Sequence, residues 1–538
     1  MARAVVSMAM TASMQDHQLR VPQLLEHAAR HHGTTEIVTA WSDTTVTRRT
    51  WVELAGDARR LAQALEHLGI GRGDRVATLA MNHAPHLIAW FGAIGMGAIV
   101  HTLNPRLIDE QLIYIVNHAA DRVLFYDGAF EALVDRLRDR WPTIEHFIRI
   151  DGTGSGSLAD LIAAQDGQYD WSEGDEREPC MLCYTSGTTG APKGVLYTHR
   201  STVLHAMAAV APSMFDLSAA AVILPIVPMF HAAGWGLPFA AAIAGAKLVL
   251  CSTNEPALLA RAMADEAVTH SAGVPTVWLS LLACADTTDA FPQALRHVSI
   301  GGSAAPSSMI ARFEAAGVRV AHIWGMTETS PLGTMGQRPA AWPTMDEDER
   351  LSLTSRQGKP PFGIELALVD DAGASLPHDG VTPGRLRVRG PWVIRRYFAA
   401  ESDVADSDGW FDTGDVAIMH LDGTMQITDR AKDMIKSGGE WISSVDLENA
   451  AIGCPGVAEA AAIGAIHPKW GERPILLVVR RPASAVTSGE IRDHLQSHVA
   501  KWWLPDEIIF VAELPHTATG KILKSALRDR YAGSLANA

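Results

Sequence analysis

The sequence predicts an α/β protein. It reads as a large N-terminal domain of layered α/β subdomains plus a small β-barrel-like subdomain, then a smaller mobile C-terminal α+β domain. Three observations carry this. The 538 residues exceed what one hydrophobic core usually spans, so two or more domains are expected. Helix-period and strand-like segments alternate through the first third and again after residue 190, the pattern of a largely parallel sheet covered by helices. From about residue 358 the strands shorten and turn residues separate them.

The elements follow in order. Leu54, Ala58, Leu61, Leu65 and Leu68 recur at helical spacing, and Gly69, Gly71 and Gly73 break the run before the strand-like RVATLA. A helical HLIAWFGAIGMGA, a short AIVHTL, a helix near Gln111–His118 and RVLFYD come next. AVILPIV, KLVLCS and RHVSIGG read as buried strands, and IELALVD and GRLRVRG as strands of the β-rich subdomain. The last unit offers AAIGAI and PILLVVRR as strands, EIRDHLQSHV as a helix, and a lysine-bearing tail. The charged DRAKD, Asp429 to Asp433, joins it to the main body, and a short polar junction suits two lobes that reorient about a hinge. The expected division is 1–428 for the large domain, 429–432 for the hinge and 433–538 for the small domain.

Composition removes several function classes. Apolar residues make up 47% and charged residues 20%, the profile of a folded globular chain. With 45 Lys and Arg against 60 Asp and Glu, the net charge of −15 argues against nucleic-acid or anionic-membrane binding, while leaving room for a local phosphate site. Five cysteines do not suggest a disulfide framework, and a reducing, cytoplasmic setting fits. Cys180 and Cys183 sit on one strand-like segment and read as two packed thiols rather than half of a zinc site. Leu217 to Ala246 carries no Asp, Glu, Lys or Arg, yet Pro225, Pro228, Gly234, Gly236 and Pro238 interrupt it, so a buried strand, loop and helix is expected rather than a transmembrane segment. The opening MARAVVSMAM shows no convincing cleavage site, and a start at Met8, Met10 or Met14 explains it as well as a targeting signal does.

The strongest local signal runs from Tyr184 to Gly194, YTSGTTGAPKG. Hydroxyls at Thr185, Ser186, Thr188 and Thr189, with Gly187 among them and Lys193 after them, suit phosphate oxygens. No Gly-Lys-Ser/Thr ends the run, so it is not a Walker loop. Four further segments complete a pattern: Trp324-Gly325-Met326-Thr327-Glu328, GWFDTGD ending at Asp415, DRAKDMIKSGGE from Asp429 to Glu440, and LPHTATGK ending at Lys521. Together, in this order, they resemble the adenylate-forming acyl-CoA synthetase superfamily, from about residue 20 to 530. The segment PMFHAAGWGLP, Pro228 to Pro238, further resembles its fatty-acyl-CoA ligase branch, which includes the 3-methylmercaptopropionyl-CoA ligases.

The resemblance implies a carboxylic acid, ATP, Mg²⁺ and coenzyme A. The acid attacks the α-phosphate of ATP, pyrophosphate departs, and the thiol then opens the acyl-adenylate. Glu328 suits the metal, with Thr188 beside it, because Mg²⁺ takes few carboxylates plus phosphate oxygens and water. Thr327 suits the α-phosphate, and Trp324 offers adenine a flat face. Asp415, in what reads as a tight turn, matches the family's ribose contact, with Arg430 as its cationic partner. Lys521 matches the adenylation lysine, which neutralises charge on the α-phosphate and the attacking carboxylate. Lys432 matches the hinge about which the small domain turns, and Lys436, Gly438 and Gly439 the face then shown to the thiol. Gly302, Ser303 and Ala304 resemble the adenine and acyl-pocket loop. His231 matches a position by the acyl carbonyl, and Trp235 one at the wall of the acyl tunnel, which suggests a short or medium aliphatic or thioether acid. A long-chain acid, delivery to a carrier protein, and a non-catalytic binding homologue are the alternatives; the last is disfavoured because Lys193, Glu328, Asp415, Arg430 and Lys521 are all present. The branch is often dimeric through its large domain, which makes a homodimer the state to test.

Overall fold

The computed structural model describes residues 14–185, 191–288, 291–430, 432–438, 440–517 and 521–536. Two mainly parallel sheets build the large domain. The six-stranded sheet runs, in spatial order, His146–Arg149, Val123–Tyr126, Arg75–Leu79, Ile99–Thr102, Pro179–Tyr184 and Gly194–Thr198. Its first five strands are parallel, and the last pairs antiparallel with Tyr184 opposite Gly194. These last two strands form a hairpin. In the eight-stranded sheet, the parallel core runs Arg319–Trp324, His297–Ile300, His270–Gly273, Val222–Pro225, Lys247–Cys251 and Glu36–Ala40. Ile99–Thr102 and His297–Ile300 are buried at every position, as strands covered on both faces must be.

The helix predicted from the leucine repeat spans Trp51–His67 and buries Leu54, Ala58, Leu61 and Leu65. Thr50 and Glu53 close a capping box at its start. It packs closely on Ala84–Gly95, where a Cβ on Gly92 would lie 2.9 Å from Ala58 O. Cys180 and Cys183 are buried free thiols facing Thr202 and Thr102. The charge-free stretch becomes the strand Val222–Pro225, a tight turn at Ala232–Gly236 and the helix Leu237–Ala244. Among the described residues no helix is long and apolar enough to cross a membrane.

The β-rich subdomain is a four-stranded antiparallel sheet, Glu365–Val369, Gly384–Arg389, Phe411–Met419 and Met425–Arg430. Here the sequence reading needs one correction. Asp415 lies inside a strand, not in a tight turn: Arg385 faces Val416 and Arg387 faces Asp412, so Thr413 to Asp415 bulge out of the pairing with Gly384–Arg389. Gly414 takes the φ of +71° that the bulge requires. The C-terminal part has its own core of Ile435, Leu447, Leu476 and Ile491, built on the hairpin Val457–His467 and Gly471–Arg480. The helices Ser444–Ile452, Ser488–Gln496 and Lys524–Tyr531 complete it.

Candidate active site

A cavity of about 1070 Å³ opens where both large sheets, the β subdomain and the Lys521 segment converge. The carboxyl ends of parallel strands feed it: Thr185 follows Pro179–Tyr184, Gly302 follows His297–Ile300, and Gly325 to Glu328 follow Arg319–Trp324. Ligand sites in open α/β sheets form at such ends. Of the residues expected from the sequence, Lys193, His231, Trp235, Arg430, Lys432 and Lys521 join these on its wall, together with Met326 and Thr327. Ser186, Gly187, Thr188, Thr189 and Gly439 lie outside the described residues.

The remaining expectations fall elsewhere. Ser303 is exposed, and Ala304 is half-buried beside it, neither on the cavity wall. Lys436 is exposed, its ammonium 5.2 Å from the centre of the Trp441 ring, and Gly438 donates its N–H to Trp470 O at 2.8 Å. Neither lines the cavity. Trp324 is the clearest departure. Its indole is 7% exposed and donates to Asp415 Oδ2 at 2.8 Å, so it does not offer the cavity a stacking face. Packing explains this: a Cβ on Gly333 would meet the indole at 2.3 Å. Asp415, 3% exposed, holds Arg430 Nε at 2.7 Å through its other oxygen, the two residues being opposite each other in the ladder. Arg430, half-exposed, carries that bridge to the cavity wall.

Glu328 is 6% exposed and its Oε1 accepts from the Tyr397 hydroxyl at 2.8 Å. The Lys193 ammonium lies 5.0 Å from the centre of the same tyrosine ring. Thr327 O accepts from the Tyr197 hydroxyl at 2.7 Å. The Tyr184 hydroxyl meets His118 Nδ1 at 2.6 Å, and Tyr114 and His118 extend the cavity beyond Lys193. Tyr397, Tyr197, His118 and Tyr114 were not singled out from the sequence as site residues.

His231 stays neutral, because burial pushes its pKa down to about 4 and the charges of Lys521 and Arg106 push the same way. Lys521 is drawn down to about 8, mainly by burial and then by Arg430, while Asp415 and Glu328 pull it up. Its N–H donates to Thr517 Oγ1 at 3.1 Å and its carbonyl accepts from Thr517 N at 2.6 Å, which ties the Lys521 backbone to Thr517. Next to His231, the backbone winds left-handed through Ala232, Ala233, Gly234, Trp235 and Gly236, with φ between 39° and 70°. That conformation costs roughly 1–2 kcal/mol for each residue with a side chain. It lays the Trp235 indole against Gly301, where a Cβ would sit 3.1 Å from Cη2.

Comparison with known proteins matches this arrangement. The AMP-binding enzyme family model covers residues 24–398, and the AMP-binding enzyme C-terminal domain model covers 446–521. The chain is 47% identical over 533 residues to a medium-chain-fatty-acid–CoA ligase of Ectopseudomonas oleovorans, covering 97% of this chain and 98% of that one. It is 46% identical over 537 residues to a 3-methylmercaptopropionyl-CoA ligase of Ruegeria lacuscaerulensis, covering 98% and 100%. Among solved structures, an anthranilate CoA ligase in complex with anthranoyl-AMP superposes with a TM-score of 0.87 at 26% identity, covering 98% of this chain and 100% of that one. The same cavity gathers motif residues from both matched regions, and the chain belongs to the AMP-binding enzyme family, as an adenylate-forming acyl-CoA ligase.

Proposed function

We propose that this ATP-dependent, AMP-forming ligase activates a short- to medium-chain aliphatic or thioether monocarboxylic acid and passes it to coenzyme A. The observation that carries the reading is one cavity in which Lys521 of the small domain faces Glu328 and His231 of the large domain. Thr185 and Lys193 would bind the outer phosphates and Thr327 the α-phosphate. Glu328 fits Mg²⁺, since it is a single buried carboxylate with one oxygen held by Tyr397. When bound, the metal supplies charge neutralisation on the phosphates. Asp415, steered by Trp324 and Arg430, would take the ribose hydroxyls in exchange for one of those partners.

Lys521 would stabilise the charge that builds as the carboxylate attacks phosphorus, and pyrophosphate leaves. The thiol then attacks the acyl carbonyl beside neutral His231, and AMP leaves. Lys432, exposed just after the last strand of the β subdomain, would be the hinge between the two steps. On the acid side the wall consists of Ala232, Trp235, Gly302 and Ile323, an apolar lining that suits an uncharged tail. The names of the two relatives, medium-chain and methylmercaptopropionyl, point to the same size. Pyrophosphate release should be screened across C2 to C16 acids, aryl acids and thioether acids. An optimum at C16, or release with no coenzyme A thioester formed, would replace this reading with a long-chain or carrier-directed enzyme. A cytoplasmic homodimer belongs to the same proposal, and sedimentation velocity tests the dimer.

A further inference from the structure

Lys524 follows Lys521 by three residues, on the first turn of the helix Lys524–Tyr531. Its side chain is 10% exposed and its ammonium sits 2.7 Å from Glu448 Oε1. The same ammonium donates to Ser444 Oγ. Ser444 in turn donates both its hydroxyl and its N–H to Asp429 Oδ2, each at 2.7 Å. A serine hydroxyl can accept from the lysine and donate to the carboxylate at once, so the bridge is chemically complete. Glu448 also accepts Ala462 N–H at 2.8 Å, from the strand Val457–His467. Asp429 is 1% exposed and precedes Arg430, which holds Asp415. One turn further along the helix, Arg528 pairs with Asp433 at 2.6 Å. The helix is thus tied to residues on both sides of Lys432.

We propose that Lys524 is a positioning residue for Lys521: by joining Glu448 and, through Ser444, Asp429, it fixes how far the Lys521 ammonium reaches into the cavity. This rests on the reading of Lys521 as the adenylation lysine. Three residues span at most about 10 Å when extended, so Lys521 cannot move far without dragging Lys524 from its buried partners. The network runs without a gap from Trp324, through Asp415 and Arg430, to Asp429, Ser444 and Lys524. It ties the small domain's lysine to the large-domain strand that ends beside Glu328.

The test measures both half-reactions, acid-dependent pyrophosphate exchange and thioester formation from preformed acyl-adenylate. Lys524→Met should lower the adenylation kcat about 10²-fold, as expected of a displacement near 1 Å, with KM for ATP nearly constant and the thioester step retained. Lys524→Arg should restore most of the loss, because the guanidinium still reaches Glu448. Lys524→Met leaves buried acids without their cation, so Ser444→Ala provides the second variant: it keeps every charge and the Ser443 helix cap, and should slow adenylation in the same direction. Wild-type adenylation in both Lys524→Met and Ser444→Ala, or an equal fall in both half-reactions, overturns the proposal. Lys521→Ala is run alongside. If it loses adenylation while the other two do not, the positioning role alone has failed; if it too retains adenylation, the reading of Lys521 has failed and takes this proposal with it.

Discussion

The large-domain wall of the cavity and the segment carrying Lys521 are built on opposite plans. On and behind the wall, several polar groups are held by partners of fixed geometry. Tyr397 bonds Glu328, Tyr197 bonds the Thr327 carbonyl, and Trp324 with Arg430 occupies Asp415. The opposite face contributes the Lys521 ammonium, its backbone tied to Thr517 and followed by the anchored helix. Charge is divided the same way. The acid Glu328 belongs to the wall and Asp415 lies behind it, paired with Arg430, while the lysine whose charge they favour comes from the Lys521 segment. Preorganised dipoles and charges need no rearrangement when the reaction occurs, so the wall can serve both steps. A group delivered across a domain boundary can serve one step and then withdraw.

Lys521→Ala is the most severe way to break this contrast. Losing one electrostatic stabiliser typically costs ~10²–10³ in rate, about 3–4 kcal/mol, and the loss should fall on adenylation. Thioester formation from supplied acyl-adenylate should stay within a few-fold of wild type. Equal losses would mean that the lysine belongs to the wall after all.

Lys432→Pro should do the reverse. Proline locks φ near −65° and removes an N–H, which would hinder rotation at this exposed residue. Pyrophosphate exchange is expected to persist and acyl-CoA formation to fall. Survival of both half-reactions unchanged would exclude a hinge at this position.

Much of this was legible in the sequence, for physical reasons that differ by region. Helix period and buried apolar runs fixed the sheets because parallel strands have no polar face to confuse the pattern, as at Ile99–Thr102. Asp415 was misread because Thr-Gly-Asp is good turn chemistry, and a bulge uses the same residues as a turn. Trp324 was recognised but not its direction: an indole that could stack on a base can equally aim its N–H at a carboxylate, and Gly333 decides which. Tyr397 was not legible at all. It meets Glu328 across 69 residues of sequence, from a segment with no motif of its own, and only the fold brings the two together.

A subtler prediction asks whether the wall alone sets acid length. Trp235 has φ of +55°, so Trp235→Gly removes the indole and also suits the left-handed backbone better than alanine does. The variant should move the kcat/KM optimum toward longer acids, with KM for ATP nearly constant. One methylene in such a pocket is worth only ~1–3 kcal/mol, so the profile should shift gradually. If Trp235 is only packing, its loss would cost roughly 3–5 kcal/mol of stability and leave the length profile as it was. A collapsed melting temperature with an unaltered profile would decide for packing, and the wall would then be a scaffold without a say in selectivity.

The gentlest probe is pH, which should act on Lys521 and not on His231. Burial and Arg430 bring Lys521 down to about 8, whereas burial holds His231 near 4. Between pH 5 and 9 His231 therefore stays neutral, while Lys521 changes charge. Its protonated form is the useful one, so kcat/KM for ATP in the adenylation half-reaction should be level below pH 8 and fall about tenfold per unit above it. Stability should respond with the opposite sign. The unfolded chain holds the proton up to the ordinary lysine range and the folded chain gives it up near 8, so between these values the unfolded state binds more protons and this group's contribution rises with pH. Lys521→Arg separates the two effects, since a guanidinium stays charged throughout. The alkaline limb of adenylation should disappear from that variant, and the thioester half-reaction should lack it in both proteins. A limb that survives in Lys521→Arg must belong to another group, and the division of labour between wall and visitor would have to be redrawn around it.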